Sequence, residues 1–199
     1  DLPGEMSRDA VSGGFLWAPN RRLTLSNRLE MRYEDNDESI ERRDRLQVVS
    51  LNQLKLKLNP DWSFALQVNY AHTFDLGLEA TEAELVDGSV GLAYRPVAAH
   101  WLVILAKYTK RYEQRPMDVS AQLPHREEND VFSFIPIVEL PYGFQLVEKL
   151  AFRRVGLRHA QHPTSVGLLL LSISRLNYHL TNSWDIGAEY RFLGSSLAQ

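Results

Sequence analysis

Apolar and polar residues alternate strictly along several stretches of the chain, and this period of two constrains the fold more than any other feature. In SWDIGAEYRF (183–192), one set of alternate residues is apolar and the other is mostly charged. Side chains of an extended strand point alternately to opposite faces, so this stretch predicts a strand with one apolar face. The same alternation recurs in Leu23–Glu34, Leu46–Leu58 and Trp62–Thr73. No stretch shows convincing helical periodicity, and the chain is therefore predicted to be all-β.

The alternation predicts ten strands, and their length is unusual. They are Ala10–Pro19, Leu23–Glu34, Leu46–Leu58, Trp62–Thr73, Leu85–Pro96, Trp101–Glu113, Val131–Leu140, Phe144–Val155, Ser165–Leu180 and Trp184–Leu193. Strands of soluble sheets usually have about five or six residues, whereas a tilted strand needs about ten to cross the hydrocarbon of a bilayer. Pro136 lies inside the seventh strand and cannot donate to a ladder, so a bulge or a strand break is predicted there.

The connections between these strands alternate between short and long. The long ones are Asp35–Arg45, Phe74–Glu84, Gln114–Asp130 and Gly156–Thr164, all polar or charged. Short turns on one rim and long loops on the other are typical of an outer-membrane barrel.

Aromatic residues give an independent indication of a membrane. All four tryptophans flank a short connection, and Phe144 takes the corresponding place after another. Tyrosines and phenylalanines recur toward the opposite strand ends, so the sequence predicts two aromatic belts at the two interfaces of a bilayer. The preference of aromatic residues for strands explains their presence but not this placement. The predicted interface residues are Trp17, Trp62, Trp101, Phe144 and Trp184.

The polar residues of the alternating strands are predicted to face the interior of a barrel. They include Arg28, Glu30, Arg32, Gln53, Lys55, Lys57, Gln67, Asn69, Asp185, Glu189 and Arg191. Barrels of about eight strands have room only for side chains, and ten strands lie close to that size. Because positive and negative residues are mixed, ion-paired packing of the interior is favoured over a selective pore.

Composition excludes several classes of function. The chain has no cysteine, so it has no disulfide framework and no thiolate chemistry. Its net charge of −3 does not favour nucleic acid as a partner. The 44% of apolar and 24% of charged residues are ordinary for a soluble globule, so it is the pattern and not the composition that indicates a membrane.

Catalytic and metal-binding patterns are weak. His125, Glu127, Glu128 and Asp130 cluster in one charged segment, where a carboxylate–histidine pair could activate water. The pair His159 and His162 has no third ligand nearby, and the acidic stretch 33–39 has no EF-hand spacing. Solvated loops are the favoured interpretation of all three, so no catalytic residue, metal or cofactor is predicted.

Two motifs carry a resemblance to a known family. The hairpin GLAYRPV…W (Gly91–Trp101) is similar to a turn that recurs in proteobacterial barrel domains, including barrels that end repeat-rich surface proteins. Asp185, Gly187, Tyr190 and Phe192 fit the polar-x-Gly-x-x-apolar-x-apolar signal that the barrel-assembly machinery recognises in a terminal strand. Over nearly its whole length the chain resembles bacterial outer-membrane β-barrel proteins. This resemblance implies a Gram-negative outer membrane, with the lipid bilayer and the barrel-assembly machinery as partners.

The sequence thus predicts an antiparallel up-and-down transmembrane β-barrel as a single domain over residues 1–199. It has ten strands, or twelve or more if the chain is part of a longer protein. The expected function is a non-enzymatic membrane anchor or narrow porin-like channel, or the barrel part of a larger cell-envelope assembly with other envelope proteins as partners. An outer-membrane hydrolase of protease or lipase type and a soluble lipocalin-like barrel are the alternatives. The rim that faces outward stays open: loop length favours one orientation of the chain, and the assembly signal favours the other.

Overall fold

The computed structural model describes residues 6–36, 43–77, 79–115, 125–159, 162–181 and 184–198. Its ten strands are β1 (Met6–Asn20), β2 (Leu23–Asn36), β3 (Arg43–Lys57), β4 (Trp62–Asp75), β5 (Ala80–Tyr94), β6 (Leu102–Arg115), β7 (His125–Leu140), β8 (Phe144–His159), β9 (His162–Thr181) and β10 (Trp184–Ala198). Each strand pairs antiparallel with its neighbours along the chain, in the order β1 to β10. The predicted all-β, up-and-down architecture of ten strands is therefore confirmed.

The sheet is open. In the part of the chain that the structure describes, β1 pairs only with β2 and β10 pairs only with β9. Each of these two strands therefore has one backbone edge without a neighbouring strand.

The strands are longer than predicted and extend into the segments predicted as long loops. β4 continues to Asp75 and β5 begins at Ala80, so only residues 76–79 connect them. In the same way, β8 and β9 occupy most of 156–164. The prediction of long loops was wrong at these two connections, because ladder hydrogen bonds join backbone groups and continue where the side chains become polar.

We name the two ends of the sheet by their connections. The turn end is the end at which β1, β3, β5 and β7 end and β2, β4, β6 and β8 begin, and the loop end is the end at which β2, β4, β6 and β8 end and β3, β5, β7 and β9 begin. At the turn end, the Pro141–Gly143 connection has Tyr142 and Gly143 at φ values of 65° and 78°. Two successive residues with positive φ give a tight reversal that matches the twist of the flanking strands. Within the described ranges, no helix is long and apolar enough to cross a bilayer.

The pairing register assigns every strand position to one of two faces, because directly paired residues lie on the same face of a sheet. On one face, Leu25, Leu54, Leu66 and Val90 are paired in succession across β2 to β5. We call this the apolar face. The opposite face is called the polar face; in the next row of the same four strands it carries Ser26, Gln53, Gln67 and Ser89.

The sheet has no hydrophobic core of its own. No hydrophobic residue that the structure describes is buried, whereas Leu66 is 37% exposed and Ile186 is 60% exposed. The buried polar residues that are described are Asp75 and Asn129. A sheet that is not covered by a second layer must have its apolar face covered by something outside it.

Pro136 changes β7 less than predicted. Pro136 pairs with Ile104 of β6, and the strand continues without a register shift. The ladder to β8 lacks the pairs of Ile135 and Pro136 and resumes in the same register at Ile137. The predicted bulge is therefore absent, and only the ladder is interrupted, because proline lacks the donor.

Candidate functional site

The polar face gathers the residues that the sequence assigns to a barrel interior. The register places on it Arg28, Glu30, Arg32, Gln53, Lys55, Lys57, Gln67, Asn69, Asp185, Glu189 and Arg191. Their charges are distributed unevenly between the two ends of the sheet, and this distribution is the main feature of the candidate site.

Toward the loop end, arginines of the polar face are paired with carboxylates. Several pairs join residues two apart on one strand, whose side chains point the same way, and others join neighbouring strands. The shortest N–O distances are 2.9 Å for Arg8–Glu34, 2.5 Å for Arg32–Glu30, 2.6 Å for Arg45–Glu82 and 2.8 Å for Arg111–Glu113. This half of the face has the ion-paired packing that the mixed charges indicate.

Asn129 is buried and lies at the centre of a small hydrogen-bond network in the same half. Arg153 donates from Nε and Nη2 to Oδ1 of Asn129 at 3.0 and 2.8 Å, and Nδ2 of Asn129 donates to Glu127 at 2.5 Å. The guanidinium of Arg153 also lies 3.6 Å from Glu127. Since the charged groups and the amide satisfy one another, this network is a structural one.

Toward the turn end, cations of the polar face surround a cavity of about 600 Å³. Its cationic lining residues are Arg21, Arg22, Lys55, Lys57 and Lys107, and no described lining residue is a carboxylate. Lys55 and Lys57 were predicted to face a barrel interior, but the alternation in the sequence does not distinguish them from the ion-paired arginines. The register is needed to show which carboxylates lie within reach of each cation.

Aromatic side chains lie at the turn end of the apolar face. The rings of Trp62 and Tyr94 have centroids 4.5 Å apart, and those of Phe144 and Tyr178 lie 4.6 Å apart. Trp62 and Phe144 were predicted as interface residues. Their tyrosine partners were not, although each tyrosine lies close to a short connection in the sequence. Among the other predicted interface residues, Trp17 is paired with Leu25 of this face, and Trp101 and Trp184 are 53% and 72% exposed.

Polar groups also occur on the apolar face, and the sequence reasoning missed them. Glu148 is directly paired with Ser174. Its carboxylate accepts hydrogen bonds from Ser172 and Ser174, at 2.9 and 2.5 Å. Elsewhere on this face, Nδ2 of Asn27 donates to Oδ1 of Asn52 at 2.6 Å. Alternation alone would have placed Glu148 here, since it lies between Leu146 and Leu150 in the period of two.

The candidate hydrolase residues whose side chains are described are divided between the two faces. Glu127 lies on the polar face beside Arg153. Glu128 and Asp130 lie on the apolar face, where Tyr108 donates to Asp130 at 2.6 Å and Lys110 lies 3.7 Å from it. The side chain of His125 lies outside the described part of the chain, as do the side chains of His159 and His162 and residues 37–39 of the acidic stretch. No cluster of three or more metal-ligating residues occurs among the residues that were described.

The assembly-signal-like residues lie on β10, an edge strand. Tyr190 and Phe192 are exposed on the apolar face, and Oδ1 of Asp185 lies 2.6 Å from Nδ1 of His179. A Cβ atom at Gly187 would lie 2.7 Å from Oδ1 of Asn177, so a larger residue would have to displace that side chain.

Comparison with known proteins assigns no family. No protein-family model matches the chain, and no curated protein matches it in sequence at a significant level.

Proposed function

We propose that this chain is a non-enzymatic β-barrel of the Gram-negative outer membrane, acting as a membrane anchor or narrow channel. The proposal rests on one observation: the sheet has an apolar face and a polar face, but its described residues form no buried hydrophobic core. Apolar residues share one face of long paired strands and are exposed or half-exposed, while no described hydrophobic residue is buried. Lipid covers such a face without a second layer of protein.

The position of the cavities favours the polar face as the concave side. The cavity of about 350 Å³ is lined by polar-face residues such as Arg45, and most of the lining residues of the cavity of about 600 Å³ are polar-face residues such as Lys55. A soluble lipocalin-like barrel needs the opposite arrangement, with the apolar face inside and the charged residues in water. The proposal therefore places the polar face around the lumen and the apolar face against lipid.

A membrane barrel also requires that β1 and β10 pair, because unpaired backbone groups are costly in hydrocarbon. The pairing register lets the closing pairs be worked out for any chosen stagger. Successive direct pairs starting from Gly13 of β1 lead across all strands to Ala198, at the far end of β10. We choose a closing stagger of about 12 residues along β10, because at ~3.3 Å per residue and ~4.8 Å between strands it tilts ten strands by roughly 40°, within the range of closed barrels. Gly13 would then pair with Ile186, and Val11 with Ala188.

Closure can be tested by crosslinking, since the chain has no cysteine of its own. In the variant with Val11→Cys and Ala188→Cys, we expect a short bis-maleimide to join β1 to β10 in the membrane-inserted protein. Crosslinking is read as a mobility change on a denaturing gel after protease cleavage between the two positions. The matched control combines Val11→Cys with Phe192→Cys, which the same register separates by about 13 Å along the strand. Equal crosslinking of both pairs would contradict the proposed register.

The membrane location has a direct test of its own. We expect the purified chain to need detergent, to float with phospholipid vesicles, and to migrate differently on gels when boiled and unboiled. A closed barrel keeps its ladder in the denaturing detergent until it is heated, and the compact form migrates differently from the unfolded one. A chain that stays monomeric and soluble without detergent would contradict the proposal and favour the lipocalin-like alternative.

A further inference from the structure

The cavity at the turn end is lined by cations without counter-charges. Arg21, Arg22, Lys55, Lys57 and Lys107 line it, and none of the five forms an ion pair with any residue that the structure describes. The other described lining residues are neutral. All five residues are exposed and therefore solvated, and no carboxylate among the described lining residues competes with an anion that enters the cavity.

The cavity of about 350 Å³ toward the loop end provides the contrast within the same face. It is lined by three arginines and two glutamates, and Arg8 and Arg45 are each ion-paired with one of those glutamates. The protein thus neutralises cations internally in one cavity and leaves them available in the other. Mixed charge along the whole polar face does not account for that difference.

The register explains how the lysines come to surround an open space. Lys55 of β3 and Lys107 of β6 belong to one row of directly paired residues, separated by Ala65 and Gly91. Ala65 and Gly91 line the cavity between the two lysines, and their small size leaves space above the sheet. A Cβ atom at Gly91 would meet only backbone oxygens at 3.8 and 4.0 Å, which is ordinary contact. The sheet therefore does not require glycine there, and its absent side chain leaves the cavity open.

We propose that this cavity binds a phosphorylated small molecule. Lysine ammonium groups bind phosphate oxygens as point charges, and a multivalent anion gains from several of them at once. A volume of about 600 Å³ exceeds what an inorganic phosphate fills and lies in the range of small-molecule sites. In a closed barrel, the same cations would make the turn end of the lumen select anions, and this part of the inference rests on the proposed function.

The test uses inorganic pyrophosphate as the probe and isothermal calorimetry on the full chain in detergent micelles. We expect the variant with Lys55→Gln and Lys107→Gln to bind pyrophosphate at least tenfold more weakly than the wild type. Raising the salt concentration should weaken wild-type binding, because the contacts are electrostatic and partly exposed. The matched control is Lys110→Gln, which removes one lysine on the opposite face and should leave the affinity unchanged.

A second variant separates the shape of the cavity from its charge. Gly91→Leu keeps all five cations but places a side chain in the cavity volume between Lys55 and Lys107. It should therefore also reduce pyrophosphate binding at least tenfold. Its fold is checked by the boiled and unboiled gel. Binding that is absent in the wild type, or unchanged in both cavity variants, would overturn the site. Pyrophosphate binding by a chain that needs no detergent would instead overturn the membrane proposal and leave the site standing.

Discussion

Replacing Leu66 by arginine is expected to lower the free energy of unfolding of the membrane-inserted protein by about 2–4 kcal/mol. Leu66 lies on the apolar face of β4, four residues after the predicted interface residue Trp62, and is paired with Leu54 and Val90. Because this face meets lipid in the proposed barrel, an arginine there would place a guanidinium in hydrocarbon. The measurement is urea unfolding in phospholipid vesicles, followed by tryptophan fluorescence. Ile186→Arg on β10 should lose less, because Ile186 is two residues from the predicted interface residue Trp184 and the cost falls toward the interface.

The matched control is Gln67→Arg, one residue further along the same strand and on the polar face. Its side chain donates to Oδ1 of Asn69 at 3.3 Å, in surroundings that can accept another polar group. The loss should be within about 0.5 kcal/mol, as for substitutions away from special features. Equal losses at Leu66 and Gln67 would show that the apolar face does not meet lipid.

Removing both hydroxyls beside Glu148, with Ser172→Val and Ser174→Val, is expected to cost about 3–6 kcal/mol, since hydrogen bonds to a charged group contribute roughly 1.5–3 kcal/mol each. The two serines are hydrogen-bonded to the Glu148 carboxylate on the apolar face. Lipid offers no water to replace them, so the carboxylate would be left without partners. The same vesicle unfolding assay measures the loss.

The control adds Glu148→Leu to the two serine substitutions. This triple variant removes the carboxylate together with its donors and leaves only apolar groups facing lipid. It should recover most of the stability lost in the double variant, because replacing both partners of a buried polar contact is nearly neutral. If the triple variant is no more stable than the double variant, the loss comes from packing and not from an unsatisfied carboxylate.

Much of the fold could be predicted from local pattern. The period of two placed the central part of every strand, because a paired strand exposes alternate residues to two different environments. The period of two also assigned Leu66 and Gln67 to opposite faces, and likewise Ile186 and Asp185, without information on strand pairing. Alternation failed at the strand ends, where polar residues after Thr73 and before Leu85 continue the ladder. Side-chain polarity carries no information about backbone pairing there.

The sequence by itself determined that the chain is all-β, with ten strands and two contrasting faces. Tertiary structure alone decided which charges meet. Arg45 and Glu82 are distant in sequence but form an ion pair across β3 and β5, because a bulge near Phe74 shifts the register there. Lys55 and Lys107 share a cavity because Ala65 and Gly91 stand between them in one row. Periodicity sets the face of a residue, whereas its neighbours on that face depend on the register between strands far apart in the chain.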